Sequence, residues 1–341
     1  MKKPLVLLWI CIGACGFRAQ DAHFSQFEKM PMYLNPALAG LNFKTQVNAT
    51  YRSQWTSIDA DFNTIAASFD HRFETKGGNS FFGFGLSALS DNAANRTVSA
   101  MDFRLAGSGH IKLDKKSTLG LGIQVGFFQR SINSGGFQWG SQFDGSNFNA
   151  ALPNAEGAQY NTISSLDASA GIVYSFNMSD FLRVTGNNDH QFSAGATVSH
   201  LNKPVNSFNG SDERLPMKIT LFGNSLLSVA NSNLAIGPSF LFQSQNNFRE
   251  MLIGTRFRYL IQQSSRHTGF KNASALSIGA FYRNKDAIIG MIQYEIDKYS
   301  IGFSYDMNIS KLNPFSNLRG GFELSLRYAA PNPFGAYKAR I

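Results

Sequence analysis

Six histidines, His23, His71, His110, His190, His200 and His267, are the side chains best suited to hold a metal or carry a proton. They are dispersed, with no i,i+4 pair and none of the carboxylate spacing of a zinc site. No Ser-x-x-Lys or Gly-x-Ser-x-Gly signature is present. The inward carboxylates expected in the strands described below, Asp102, Asp306 and Glu323, assemble with no Ser or His into a triad. Together with Arg327 they are expected to pair and line an interior. Gly120-x-Gly122-x-x-x-Gly126 invites a nucleotide-binding reading, but the strand-then-helix context that such a loop needs is missing. Small residues that let another element approach closely are the better reading. The expectation is a protein that is not an enzyme and has no metal or cofactor.

Both cysteines, Cys11 and Cys15, lie in a leader-like start. Lys2 and Lys3 precede the apolar run Leu5 to Ile12, followed by small residues. That run is shorter than the roughly 20 residues that a spanning helix needs. Residues 1–19 are therefore read as a signal peptide cleaved near Ala19. Ile12-Gly13-Ala14-Cys15 also fits a lipoprotein box, in which Cys15 is lipidated and retained. Without Cys15, disulfides, thiolate metal sites and cysteine catalysis are excluded.

Composition narrows the class further. Removing Lys2, Lys3 and Arg18 lowers the net charge from +9 to +6. The remaining basic residues form no run, so nucleic acid is not the expected partner. An exported chain set among acidic lipid headgroups accounts for the charge. Only 16% of residues are charged, against about 25% in an average soluble domain. Phe and Gly stand at 31 each, and no apolar stretch of 18 follows the leader, which argues against helical spans.

Alternation is the dominant pattern. Ile301, Phe303, Tyr305, Met307 and Ile309 alternate with Gly302, Ser304, Asp306, Asn308 and Ser310, and Phe322, Leu324, Leu326 and Tyr328 alternate with Gly321, Glu323, Ser325 and Arg327. Successive strand side chains point to opposite faces, so each run has one apolar and one polar face. Fourteen such runs are expected, at 43–55, 62–72, 80–90, 97–112, 118–130, 164–177, 190–201, 217–228, 232–244, 248–261, 275–284, 286–296, 299–310 and 319–329. The eighth and ninth are the least clear. Lengths of around 10 residues and an even count fit an all-β, antiparallel transmembrane barrel with lipid outside and a polar interior.

The domain reading is a signal peptide (1–19), an N-terminal extended segment (20–42), an outer-membrane barrel (43–329) and a tail (330–341). Pro31 and Pro36 keep the second of these out of a sheet. It is either a plug or a periplasmic docking strip. With a periplasmic N-terminus, the long connections Ser131 to Ile163 and Asn202 to Leu215 face outside. The 262–274 and 284–286 connections depart from that rule in length.

Several stretches go beyond a generic barrel. Gln20-Asp21-Ala22-His23-Phe24-Ser25-Gln26-Phe27, Tyr33-Leu34-Asn35-Pro36-Ala37-x-Ala39-Gly40 and Tyr51-Arg52-x-Gln54-Trp55 are followed by His200-Leu201-Asn202-Lys203-Pro204, Ser304-Tyr305-Asp306-x-Asn308 and Gly320-Gly321-x-Glu323. This series resembles the PorP/SprF family over nearly the whole mature chain. Ala22 departs from the family, where Pro is frequent. The resemblance implies an outer-membrane component of the type IX secretion system, linked to gliding motility. Its implied partners are a secreted cargo, bound through a type B C-terminal sorting domain and held at the surface, and other secretion components. The residues expected to meet partners are Phe24, Phe27, Tyr33, Asn35 and Pro36 in the N-terminal segment, Phe137, Trp139 and Phe143 in the long loop, and His200, Asn202 and Pro204. The alternative reading is a diffusion porin or small-solute transporter, which rests on the polar inner faces alone.

Overall fold

In the computed structural model the chain closes into a barrel. The structure describes residues 21–55, 62–76, 78–93, 97–133, 140–145, 147–149, 151–153, 162–178, 190–208, 212–263, 272–310, 313 and 318–330. The strands are β1 (Thr45–Gln54), β2 (Phe62–Glu74), β3 (Ser80–Ala93), β4 (Val98–Lys112), β5 (Ser117–Ile132), β6 (Ile163–Asn177) and β7 (Gln191–Ser199). They continue with β8 (Lys218–Ser228), β9 (Leu234–Gln245), β10 (Phe248–Gln262), β11 (Ser274–Arg283), β12 (Ala287–Ile296), β13 (Tyr299–Asn308) and β14 (Arg319–Ala330). All fourteen expected strands are present. Each pairs antiparallel with its sequence neighbours, and β1 pairs with β14 to complete the ring, so no sheet edge is left open.

The expected faces are also present. Ile65, Leu105, Ile123 and Ile278 are each more than half exposed on the outer surface, and Ile123 reaches 69%. An apolar surface that runs round the whole barrel is tolerable in lipid and not in water. Tyr51, Tyr282 and Tyr305 mark one edge of this band, and Tyr259, Tyr294, Tyr299 and Tyr328 mark the other. These are aromatic girdles of the kind that sit at headgroup level. Alternate residues point inward and are buried, among them Arg52, Ser304, Asp306, Glu323 and Ser325.

The N-terminal segment is ordered, but it is not extended as expected. Three short turns occupy it: a 3-10 turn at Phe27–Lys29, the single helical turn α1 (Pro31–Leu34), and a second 3-10 turn at Pro36–Leu38. The prolines that exclude it from a sheet stand at the first positions of the last two turns, where a missing N–H costs nothing. The segment lies inside the barrel, and Met30, Met32, Asn35, Ala37 and Ala39 are essentially without exposed surface.

Glycine and apolar side chains make room for it and hold it. A Cβ on Gly122 would meet the backbone of Pro36 and Ala37, one on Gly83 the carbonyl of Ala39, and one on Gly171 the side chain of Asn35. Gly122 thus serves close approach, as its sequence context suggests. Phe27, Met32, Leu34 and Leu38 share one apolar cluster with inward Phe81, Phe222, Leu241, Leu252, Phe281 and Ile289. Forcing a side chain into the glycine gaps is an overpacking change worth about 1–3 kcal/mol. Gly122→Val is therefore expected to loosen the plug while the barrel stays closed. Trypsin cleavage after Lys29, blocked in the wild type, should appear in the variant, with heat-modifiable migration retained.

Candidate functional site

The plug runs the length of the lumen. Asp21 sits at the mouth carrying the longer connections 133–162 and 200–217, and the chain leaves at the opposite mouth to enter β1 at Thr45. Its upper part is fastened by charge. The backbone N–H groups of Ser25 and Gln26 donate to the two oxygens of Glu323 at 2.8 and 3.0 Å. Arg52 donates to Glu323 at 3.0 Å and to Asp306 at 2.8 Å, and Arg283 reaches Asp306 at 3.1 Å. The Ser25 hydroxyl donates to Asp306 and accepts from both arginines. Gln26 adds bonds with Ser304 and Ser325 at 3.3 and 2.8 Å.

Strand register makes this cluster. Arg52 lies directly opposite Glu323 across β1 and β14, and Glu323 opposite Ser304 across β14 and β13. Removing one partner of a buried ionic group leaves the rest uncompensated, at a cost of about 3–5 kcal/mol. Glu323→Ala also orphans two plug N–H groups. It is expected to lower the temperature of heat-modifiable unfolding and to release the plug to protease; an unchanged melting temperature would show that the cluster holds nothing.

The lower part of the plug is fastened mainly through backbone carbonyls. Asn35 caps its own turn by accepting from Ala37 N–H at 2.8 Å, and it donates to the carbonyls of Ile172 and Ala196 at 2.9 and 3.1 Å. Gln124 and Thr197 donate to the carbonyls of Met32 and Leu34, each at 3.0 Å. Ser108 donates to that of Ala39 at 2.8 Å, and Gly40 N–H donates to Asp70 at 3.1 Å. Gln124, Thr197 and Ser108 are inward polar positions, so part of the polar lumen is spent in holding the plug.

At the long-loop mouth, Asp21 meets Lys218 at 2.5 Å and His200 at 3.0 Å, and the other nitrogen of His200 meets Asp167 at 3.0 Å. Arg130 stands 3.8 Å from Asp21. Burial opposes ionisation of Asp21, but Lys218 and His200 outweigh it and hold the carboxyl well below its usual range. Burial likewise opposes protonation of His200, and the hydrogen-bonded Asp21 carboxylate with Asp167 close by raises its pKa above the ordinary histidine value. The Asp21 contribution is therefore kept above about pH 4, and that of His200 is full below about pH 6.5 and lost as pH rises through its raised value. Amide exchange at residues 22–26, corrected for intrinsic rate, should thus quicken as pH rises above about 6.5. His200→Asn should remove that dependence.

A cavity of about 380 Å³ opens beside this anchor. Phe24, Phe27, Tyr33, Trp55, Phe62 and Leu89 form its apolar side. Its charged side includes Arg104, which grips Asp102 at 2.9 Å and lies 4.5 Å over the ring of Tyr33. The nominated residues are thus separated. Phe24, Phe27 and Tyr33 line the cavity, while Asn35 and Pro36 are buried deeper in the plug. His200 anchors Asp21. Asn202 ties its turn to β6 by donating to the carbonyl of Leu166 at 2.7 Å, and buried Pro204 accepts from Leu215 N–H at 2.9 Å. Phe143 is exposed in the long loop and bridges to Phe148. Phe137 and Trp139 lie outside the described residues, as do residues 1–20 and the tail 331–341. The sequence reading did not nominate Ser25, Gln26, Arg52 or Arg283; the first three stand in the quoted motifs, and an inward arginine opposite an inward glutamate was the available signal. Among the described residues no group of three His, Cys, Asp or Glu side chains is placed to hold a metal.

The fold and its filled interior define an outer-membrane β-barrel closed by its own N-terminal segment. The sequence matches the family described as type IX secretion system membrane protein PorP/SprF over residues 16–328. The chain belongs to that family, and is therefore an outer-membrane component of type IX secretion, working with other components of that system. No curated protein matches it significantly. Among solved structures it is similar to BamA from Haemophilus ducreyi lacking POTRA domains 1–3, at 10% identity, covering 84% of this chain and 70% of that one, with a TM-score of 0.43. It is also similar to the β domain of the Bordetella autotransporter BrkA, at 12% identity, 84% and 99% coverage and a TM-score of 0.39. A third is the deltaS2S3 mutant of the monoaromatic hydrocarbon channel TodX, at 10% identity, 87% and 92% coverage and a TM-score of 0.44.

Proposed function

We propose that this protein is a non-enzymatic docking barrel, exported by its N-terminal signal, that receives the C-terminal type B sorting domain of a secreted cargo and holds it at the cell surface. One observation carries the reading. The lumen is filled from end to end by a bonded plug, while the long-loop mouth keeps a preformed cavity with aromatic, apolar and charged walls. Such walls suit a protein ligand, which is bound through a few aromatic and arginine anchors in desolvated pockets. Exposed Phe143 and the neighbouring loops extend the surface beyond the cavity.

Deletion of the gene is expected to abolish surface display of one particular cargo while other cargos are still exported; normal display of every cargo would overturn the reading. Trp55→Ala, which removes one cavity wall, should weaken cargo retention roughly thirty-fold, as loss of an anchor worth about 2 kcal/mol implies. The porin reading draws on the polar inward face. It requires steady single-channel conductance from the purified protein in planar bilayers, and the docking reading expects a closed barrel there.

A further inference from the structure

A second cavity of about 150 Å³ lies against the plug on the side of the opposite mouth, reaching Asn177, Gln191 and Gln46 near the strand ends. Three elements bring four basic side chains to it: Lys29 from the plug, Arg256 and Arg258 from β10, and Arg327 from β14. Among the described residues two carboxylates lie with them, Glu28 and Glu295. Both are already engaged. Glu28 accepts from Arg256 and, at 2.6 Å, from Ser239, while Glu295 accepts from Arg258 and Gln293.

Among the described residues that leaves two cations without a close counter-charge. Arg327 comes no nearer to Glu295 than 4.0 Å, and its Nε, buried from solvent, has no hydrogen-bond partner. Lys29 is only 4% exposed, and among the described residues its ammonium has no hydrogen-bond or ion-pair partner. A buried ammonium in that position is costly unless an anion meets it. Two basic side chains that face one cavity, neither with a close carboxylate among the described residues, make a wall suited to an anion. The cavity is several times the roughly 30 Å³ that a water occupies in the liquid.

We propose that this cavity is a binding site for a small oxyanion, a phosphate or a carboxylate, held by Lys29 and Arg327 with Arg256 and Arg258 completing the positive wall. It is separate from the cargo mouth, and it faces the side from which free phosphate or the acidic side chain of another protein would enter. The same chemistry fits both sources.

The test is calorimetric titration of the full-length protein in detergent with inorganic phosphate, sulfate and acetate, at ionic strength fixed with chloride. Saturable one-to-one binding of phosphate or sulfate is expected, weakened at least tenfold by Lys29→Met or by Arg327→Gln and unchanged by Lys203→Met in the 200–217 connection. Binding of acetate in preference to phosphate also supports the site and points to a carboxylate carried by a partner. Absence of saturable binding to the wild type overturns the proposal whether or not the variants fold, and so does equal affinity in the wild type and a folded Lys29→Met protein.

Discussion

A glutamate with no exposed surface, placed inside a barrel wall, must find its hydrogen bonds within the protein, because stranded charge in a low-dielectric interior is prohibitive. Glu323 is in that position, and its partners define the molecule. One side of it takes Arg52 from the neighbouring strand, and its two oxygens take the N–H groups of Ser25 and Gln26. The β1–β14 seam that closes the cylinder and the strip that fills it thus meet on one carboxylate. Below that level the plug is held by hydrogen bonds to its carbonyls and by an apolar cluster, so charge locates the segment and packing immobilises it.

Filling a fourteen-strand barrel separates its two ends. With the interior occupied by the plug, the two mouths present different cavities. The long-loop mouth carries the larger, partly aromatic cavity, and the opposite mouth carries a smaller basic one.

The barrel was written plainly in the sequence. Two-residue alternation in β13 and most of β5 leaves one face apolar and the other small or polar, and its repetition over fourteen runs in a charge-poor chain points to a closed cylinder in lipid. The plug was less legible, and the reason is visible in β8 and β9. Phe222 and Leu241 point inward, where alternation calls for polar residues, because they join the apolar cluster that includes Phe27 and Leu34 of the plug. The same substitutions that blur those two strands are the evidence for an internal occupant. Pro31 and Pro36 excluded a sheet correctly, yet proline is equally at home opening a helical turn, and only the surrounding wall decides between the two. The charge cluster was half legible. Asp306 and Glu323 declared themselves as inward carboxylates, but which arginine stands opposite depends on a register that spans almost the entire chain.

The path of the N-terminal segment has a topological consequence. It starts beside the long loops, passes through the cylinder and leaves at the far rim to become β1, whose partner β14 is the last strand made. A strip enclosed in this way cannot be slipped in sideways once the seam has zipped. It is either already lying in place when the first and last strands meet, or it is drawn in lengthwise through the finished ring. Removal obeys the same geometry: the lumen empties only by sliding the leader along its axis or by parting the seam, and both routes first break the contacts at Glu323.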